Sequence, residues 1–160
     1  TGADEFVLKP FNIEILNLRV CNILRTKQLW IDKFKTKPSS ESWKELSNKL
    51  DQDFLEKSLN IIKKNLDNPD FSVEKFSLDI GISRSALFNK IKSITGQSTS
   101  EFIRTIRLKK AADLLKSGKH SITEIVFIVG FSDPKYFRTC FKKQYNQTPR
   151  EYLNEFRKEA

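Results

Sequence analysis

The chain has 160 residues, 38% of them hydrophobic and 13 of them phenylalanine, with a formal net charge of +9. This length makes one ordinary domain, or a domain plus a fragment, and the supply of Phe and branched aliphatics excludes general disorder. No apolar run is long enough to cross a bilayer, and the first residues lack the basic start and apolar middle of a signal peptide; a cytoplasmic chain without membrane contact in this segment is expected.

Taken in chain order, residues 5–11 (EFVLKPF) predict a short strand whose ladder Pro10 ends. Asn12 predicts an N-cap for a helix to about Lys27, with Ile13, Leu16, Val20, Ile23 and Leu24 on one face. Residues 35–42 (KTKPSSES) are charged, Pro-containing and Ser-rich, as a linker is. Trp43, Leu46 and Leu50 predict a short helical stretch. A stronger helix is expected at 52–66, capped by Asp51, with Leu55, Leu59, Ile62 and Leu66 on one face and Asn68-Pro69 as its stop. Six further helices are expected near 73–79, 84–94, 99–116, 122–129, 134–144 and 149–157. Capping boxes open three of them, pairing Ser98 with Glu101, Ser121 with Glu124, and Thr148 with Glu151; Pro149 takes the first helical position of the last. The domain plan expected is a fragment at 1–30, a linker at 31–50 and a helical domain at 51–160.

The charge is unevenly placed. Residues 1–82 hold 13 Lys/Arg and 13 Asp/Glu, whereas residues 83–160 hold 16 Lys/Arg and 7 Asp/Glu and so carry the whole net charge. A basic half joined to a neutral half points to a polyanionic partner for the basic half. Cys21 and Cys140 lie in apolar stretches without metal-ligand spacing and are expected as reduced core thiols. His120, the single histidine, precedes a helix start and reads as a loop residue. With no Gly-rich phosphate loop and no acid pair beside a nucleophile, an enzyme lacks its parts, and neither a metal nor a cofactor is expected.

An internal repeat sets the architecture. Residues 76–103 and 125–153 align with a shift of 49 that puts Gly81 on Gly130 and Ser83 on Ser132. A one-residue insertion then gives a shift of 50, which puts Leu87 on Phe137, Ile91 on Phe141, Lys92 on Lys142, Ser98 on Thr148, Glu101 on Glu151 and Phe102 on Tyr152. Each copy reads as a short helix, a Gly-containing turn, a second helix and a capping box. That is the plan of a helix-turn-helix, whose tight turn sets the second helix across the first so that it enters a major groove. In the helix between the copies, Phe102, Ile103 and Ile106 face one way, and Leu108, Ala111, Ala112 and Leu115 face about half a turn away. Such a connector packs against one motif at each end. Its roughly 18 residues span about 27 Å at 1.5 Å each, just short of the roughly 34 Å between successive major-groove faces. The expected fold is therefore all-α, two helix-turn-helix subdomains on a long connector helix, preceded by the strand-helix fragment. RNA binding lacks both a stacking-aromatic sheet motif and a GXXG loop.

The stretch GFSDPKYFRTCFKKQYNQTPREYL, residues 130–153, resembles the signature of the AraC/XylS transcription regulators: a Gly-Phe turn, an aromatic pair, Phe-Lys-Lys, and Thr-Pro before the last helix. The first copy, IGISRSALFNKIKSITGQSTSEFIRTIRLKKAADLL, is similar too, and the resemblance covers residues 51–158. It implies a sequence-specific regulator that binds double-stranded DNA. Separately, TGADEFVLKPFNIEIL resembles the closing part of a response-regulator receiver domain. That likeness implies a Lys-Pro pair, Lys9 and Pro10, with Lys9 the residue that contacts a phosphorylated aspartate lying upstream.

With Leu87 and Ile91 facing inward, the second helix of the first motif turns Ser85, Phe88, Asn89 and Lys92 outward, and Arg84 begins it. Asn89 suits adenine, and Phe88 suits either a thymine methyl or a partly buried core place. In the second motif, Phe137 and Phe141 face inward and expose Lys135, Arg138, Thr139 and Lys142. Arg138 suits guanine, its planar fork matching two acceptors, while Lys92 and Lys142 suit phosphates. Two further partners are weighed: RNA polymerase, as the dock of an interaction module with only nonspecific DNA affinity, and a second copy of the chain. The latter follows from Phe6, Val7, Leu8, Ile13, Leu16, Val20 and Ile23, which need cover if the fragment lacks the rest of a receiver sheet.

Overall fold

The computed structural model describes residues 13–36 and 49–158, and among them there are eight α-helices and no strand. They are α1 (Ile13–Thr36), α2 (Lys49–Lys64), α3 (Val73–Ile80), α4 (Arg84–Thr95), α5 (Thr99–Ser117), α6 (Ile122–Ile128), α7 (Pro134–Tyr145) and α8 (Pro149–Lys158). The strand expected at residues 5–11, with Lys9 and Pro10, and the stretch holding Trp43 and Leu46 lie outside the described residues. The chain divides into two compact units between Glu56 and Lys57.

In the first unit, α1 runs to Thr36, well beyond the expected end near Lys27. Nothing from Gln28 onward stops it, since the first proline after Lys27 is Pro38 and no glycine offers a left-handed cap. Residues 31–36, expected as linker, are therefore helical. Leu16 is half-buried, whereas Ile13, Val20, Ile23 and Leu24 are exposed. Cys21 is also exposed, which corrects its expectation as a core thiol; Cys140 is buried, and both are free. A core place for Cys21 does not arise because no described side chain of this helix is buried. α2 opens at Lys49, so Asp51 sits in its first turn and not at the cap, where it still faces the positive end of the helix dipole.

In the second unit, α3 packs on α4 and α4 on α5, and α5 also packs on α6, α7 and α8. α5 has 19 residues, about 28 Å of helix. Its apolar positions change sides as expected. Leu108, Ala111, Ala112 and Leu115 enter a core with Ile125, Val126, Val129, Phe131, Phe137, Cys140 and Phe141. Phe102, Ile103 and Ile106, buried in the other half of the helix, lie outside that core. Leu59, Ile62, Phe76, Leu87 and Ile91 are buried as well.

The turns of the two motifs are built alike. The Ile82 N–H donates to the Ser77 carbonyl at 3.2 Å, and the Phe131 N–H to the Val126 carbonyl at 3.0 Å. Each bond closes a helix end over a glycine with positive φ, Gly81 at 84° and Gly130 at 72°. The one-residue insertion is Ser132, because Asp133 takes the place that Ser83 holds in the first motif. Ser83 caps α4 by accepting from the Ala86 N–H, but α7 is capped by Asp133, which accepts from the Lys135 N–H. Pro134 explains the shift, since a proline at the first helical position puts the cap one residue before it.

All three expected capping boxes form. The backbone N–H groups of Ser98, Ser121 and Thr148 donate to Glu101, Glu124 and Glu151 at 2.8, 2.7 and 2.7 Å, and the glutamate N–H groups donate back to the three hydroxyls. Those backbone bonds, with help from the hydroxyls, hold each glutamate below the ordinary value of 4.5. Depressed folded values mean stability that is present above the ordinary carboxylate range and lost as pH falls through the folded values. Replacing all three glutamates by glutamine is therefore expected to lower the melting temperature at pH 7 and to flatten its decline between neutral pH and pH about 3. Thermal melts across that range check it; an unchanged acid slope would contradict it.

Candidate nucleic-acid interface

Each second helix of a motif presents one outward stripe, and the two stripes have the same register. On α4, Leu87, Ile91 and Ile94 are buried, which leaves Ser85, Phe88, Asn89 and Lys92 exposed at relative positions 0, 3, 4 and 7. On α7, Phe137, Cys140 and Phe141 are buried, and Lys135, Arg138, Thr139 and Lys142 are exposed at the same spacing. The shift of 50 maps one set onto the other. Phe88 is 45% exposed, so the outward reading holds over the core reading.

Several of these side chains already have local partners. Arg84 Nη1 donates to Glu74 Oε1 at 2.6 Å on an exposed surface, where such a pair adds little stability. Lys92 Nζ donates to the Gly96 carbonyl at 2.9 Å, closing the end of its own helix. The Thr139 hydroxyl donates to the Lys135 carbonyl at 3.1 Å. Arg138 forms one wall of a groove of about 440 Å³ that it shares with Thr123 and Arg150. Those two residues stand in the first turns of α6 and α8.

Sequence reasoning missed three residues that join the motifs. Arg104 Nη1 donates to the Tyr136 hydroxyl at 3.0 Å, tying the connector to α7. Arg107 is 9% exposed; its Nη2 donates to the Asn68 carbonyl at 2.6 Å and its Nη1 to the Gly130 carbonyl at 3.0 Å. Burial alone lowers the pKa of this guanidinium, without bringing it near deprotonation. The available signal was its register: Arg107 lies between Ile106 of one apolar side and Leu108 of the other.

Comparison with known proteins places this geometry among others. The family described as "Helix-turn-helix domain" matches residues 77–155. Over 156 residues, 98% of this chain, the sequence is 41% identical to a histidine kinase, P4, of Formosa agariphila, of which it covers 11%. It is 35% identical over 97 residues to the HTH-type transcriptional regulator MtrA of Neisseria gonorrhoeae, covering 59% of this chain and 32% of that protein. The chain thus spans a minor part of both relatives. Among solved structures, the C-terminal domain of the two-component response regulator yesN from Fusobacterium nucleatum superposes with a TM-score of 0.57 at 31% identity. That match covers 63% of this chain and 98% of the domain.

Proposed function

This chain belongs to the AraC-type helix-turn-helix family of DNA-binding transcription regulators, and from that membership we propose that it is the sequence-reading output domain of a two-component signalling protein. The family is one of regulators, not enzymes. The observation that carries the reading is the pair of matched outward stripes on α4 and α7, held on one connector of about one helical turn of duplex. A relative that is a histidine kinase and a structural neighbour that ends a response regulator support the signalling role. In this reading residues 1–30, with Lys9 and Pro10, close a receiver, the segment after α1 links, and residues 51–160 read DNA in the cytoplasm.

Within the stripes, Asn89 pairs with adenine, Phe88 meets a thymine methyl and Arg138 forks onto guanine, with Ser85, Lys135 and Thr139 flanking them. Arg84, Lys92 and Lys142 meet phosphates. Arg138→Ala is expected to cost roughly 1–3 kcal/mol of specific binding and to relax the preference at one base pair, whereas Lys142→Ala weakens all sequences alike. Titrations against a preferred duplex and its single-base variants check it. Equal loss of specific and nonspecific affinity in Arg138→Ala would remove the base-reading role.

Two partner readings accompany this one. The exposed apolar positions of α1 favour a second copy of the chain as their cover, which sedimentation would register as a dimer lost when the chain starts near Ser39. Docking on RNA polymerase is favoured by Leu78 and Phe127, 79% and 55% exposed, which occupy equivalent places on the first helices of the motifs; their substitution would then reduce transcription at full promoter occupancy.

A further inference from the structure

The connector passes between two apolar surfaces, and at the crossing it carries a charge. A buried arginine is expensive unless its donors are met, and Arg107 has two carbonyls and no carboxylate, with its Nε left without a partner. An apolar side chain would bury more favourably there. The fork does something an apolar side chain cannot: it holds two distant pieces of backbone at fixed separation. One is Asn68, in the loop that leads into the first motif, 39 residues before it; the other is Gly130, in the turn of the second motif, 23 residues after it. The fit there is close. A Cβ on Gly130 would lie 2.9 Å from Arg107 Nη2 and would collide with the Leu66 carbonyl oxygen. One turn earlier on the connector, Arg104 holds Tyr136 at the start of α7. The second motif is tied to the connector at its turn and again at its reading helix.

We propose that Arg107 is a positioning residue that fixes how far apart the two reading helices stand, and so which half-site spacing the domain accepts. The inference rests on the reading of both motifs as DNA readers. The scale is sufficient: a swing of about 20° through the roughly 10 Å thickness of a helix moves a reading face by about 3.5 Å, close to the 3.4 Å rise of one base pair. A lysine keeps the charge but meets one carbonyl at a time, because it is a point donor on a flexible stem.

The test compares the wild-type chain with R107K on duplexes in which the two half-sites of a selected operator are moved apart or together by one base pair. The wild-type chain is expected to favour one spacing by about tenfold, and R107K to bind all spacings within about threefold with unchanged base preference inside each half-site. Y136F, which removes only the outer tie, is expected to flatten the profile partway and serves if R107K melts too readily. A readout without DNA comes from spin labels at S93C and K143C, equivalent exposed positions on α4 and α7, with Cys21→Ser. Their distance distribution is expected to be narrow in the wild-type background and broad with R107K. A clear wild-type optimum that R107K leaves intact, or an unchanged distance distribution, overturns the inference alone. A wild-type chain that prefers no duplex at any spacing removes the DNA reading and this inference with it.

Discussion

Gly130→Ala is expected to lower the unfolding free energy by roughly 3–5 kcal/mol, while Gly81→Ala, at the same place in the first motif, costs about 1 kcal/mol. Both glycines have positive φ, so both substitutions carry the backbone strain of a left-handed residue. The difference is what the new methyl meets. At Gly81 nothing lies within 4 Å. At Gly130 the methyl runs into the Leu66 carbonyl oxygen and comes within 3.0 Å of the Arg107 guanidinium carbon. Relief would have to come from breaking the Arg107 bonds, which would leave a buried charge with fewer partners. Chemical denaturation of the two variants side by side checks the contrast; similar losses would show that the junction yields easily.

A comparable loss, about 3–5 kcal/mol, is expected for Phe141→Ala. Phe141 is fully buried, and its ring centroid lies 5.7 Å from Phe137, 4.6 Å from Tyr145 and 5.4 Å from Tyr152, the last edge-on. It joins α7 to α8, and the hole left by its removal would be lined by rings too large to close it. The surface control is Phe88→Ala, a truncation of similar size on α4. Since Phe88 is largely outside the core, its removal should cost less than about 1 kcal/mol of stability and show instead in DNA binding. Equal melting temperatures for the two variants would contradict the inward and outward assignment of the repeat.

That assignment was legible in the sequence because it depends on local rules. The helix starts of the second unit were marked by capping residues, and Ser98, Ser121 and Thr148 close their boxes as expected. The inward positions followed from the repeat, since Leu87 and Phe137, like Ile91 and Phe141, hold equivalent positions and are buried. Where a stop signal was lacking, the reading failed: α1 continues past Lys27 because its sequence offers no residue that ends a helix. The repeat paired Ser83 with Ser132, whereas in the structure the residue equivalent to Ser83 is Asp133, the cap before Pro134. Arg107 was the least legible residue. In a chain where 31% of residues are charged, a basic residue on a helix ordinarily lies at the surface. Its burial is fixed by two segments, around Asn68 and Gly130, that no local pattern brings together.

The central claim is that two motifs on one connector read one duplex. It is tested most directly by selecting bound sites from random double-stranded DNA with the whole chain. The claim predicts enriched sites with two short conserved blocks, roughly 10–10.5 base pairs apart centre to center, and binding that weakens steeply with added salt. Arg138→Ala should blur one position in one block and leave the other block unchanged. Uniform recovery of all sequences, or a single block that persists when either helix loses its outward stripe, would contradict it.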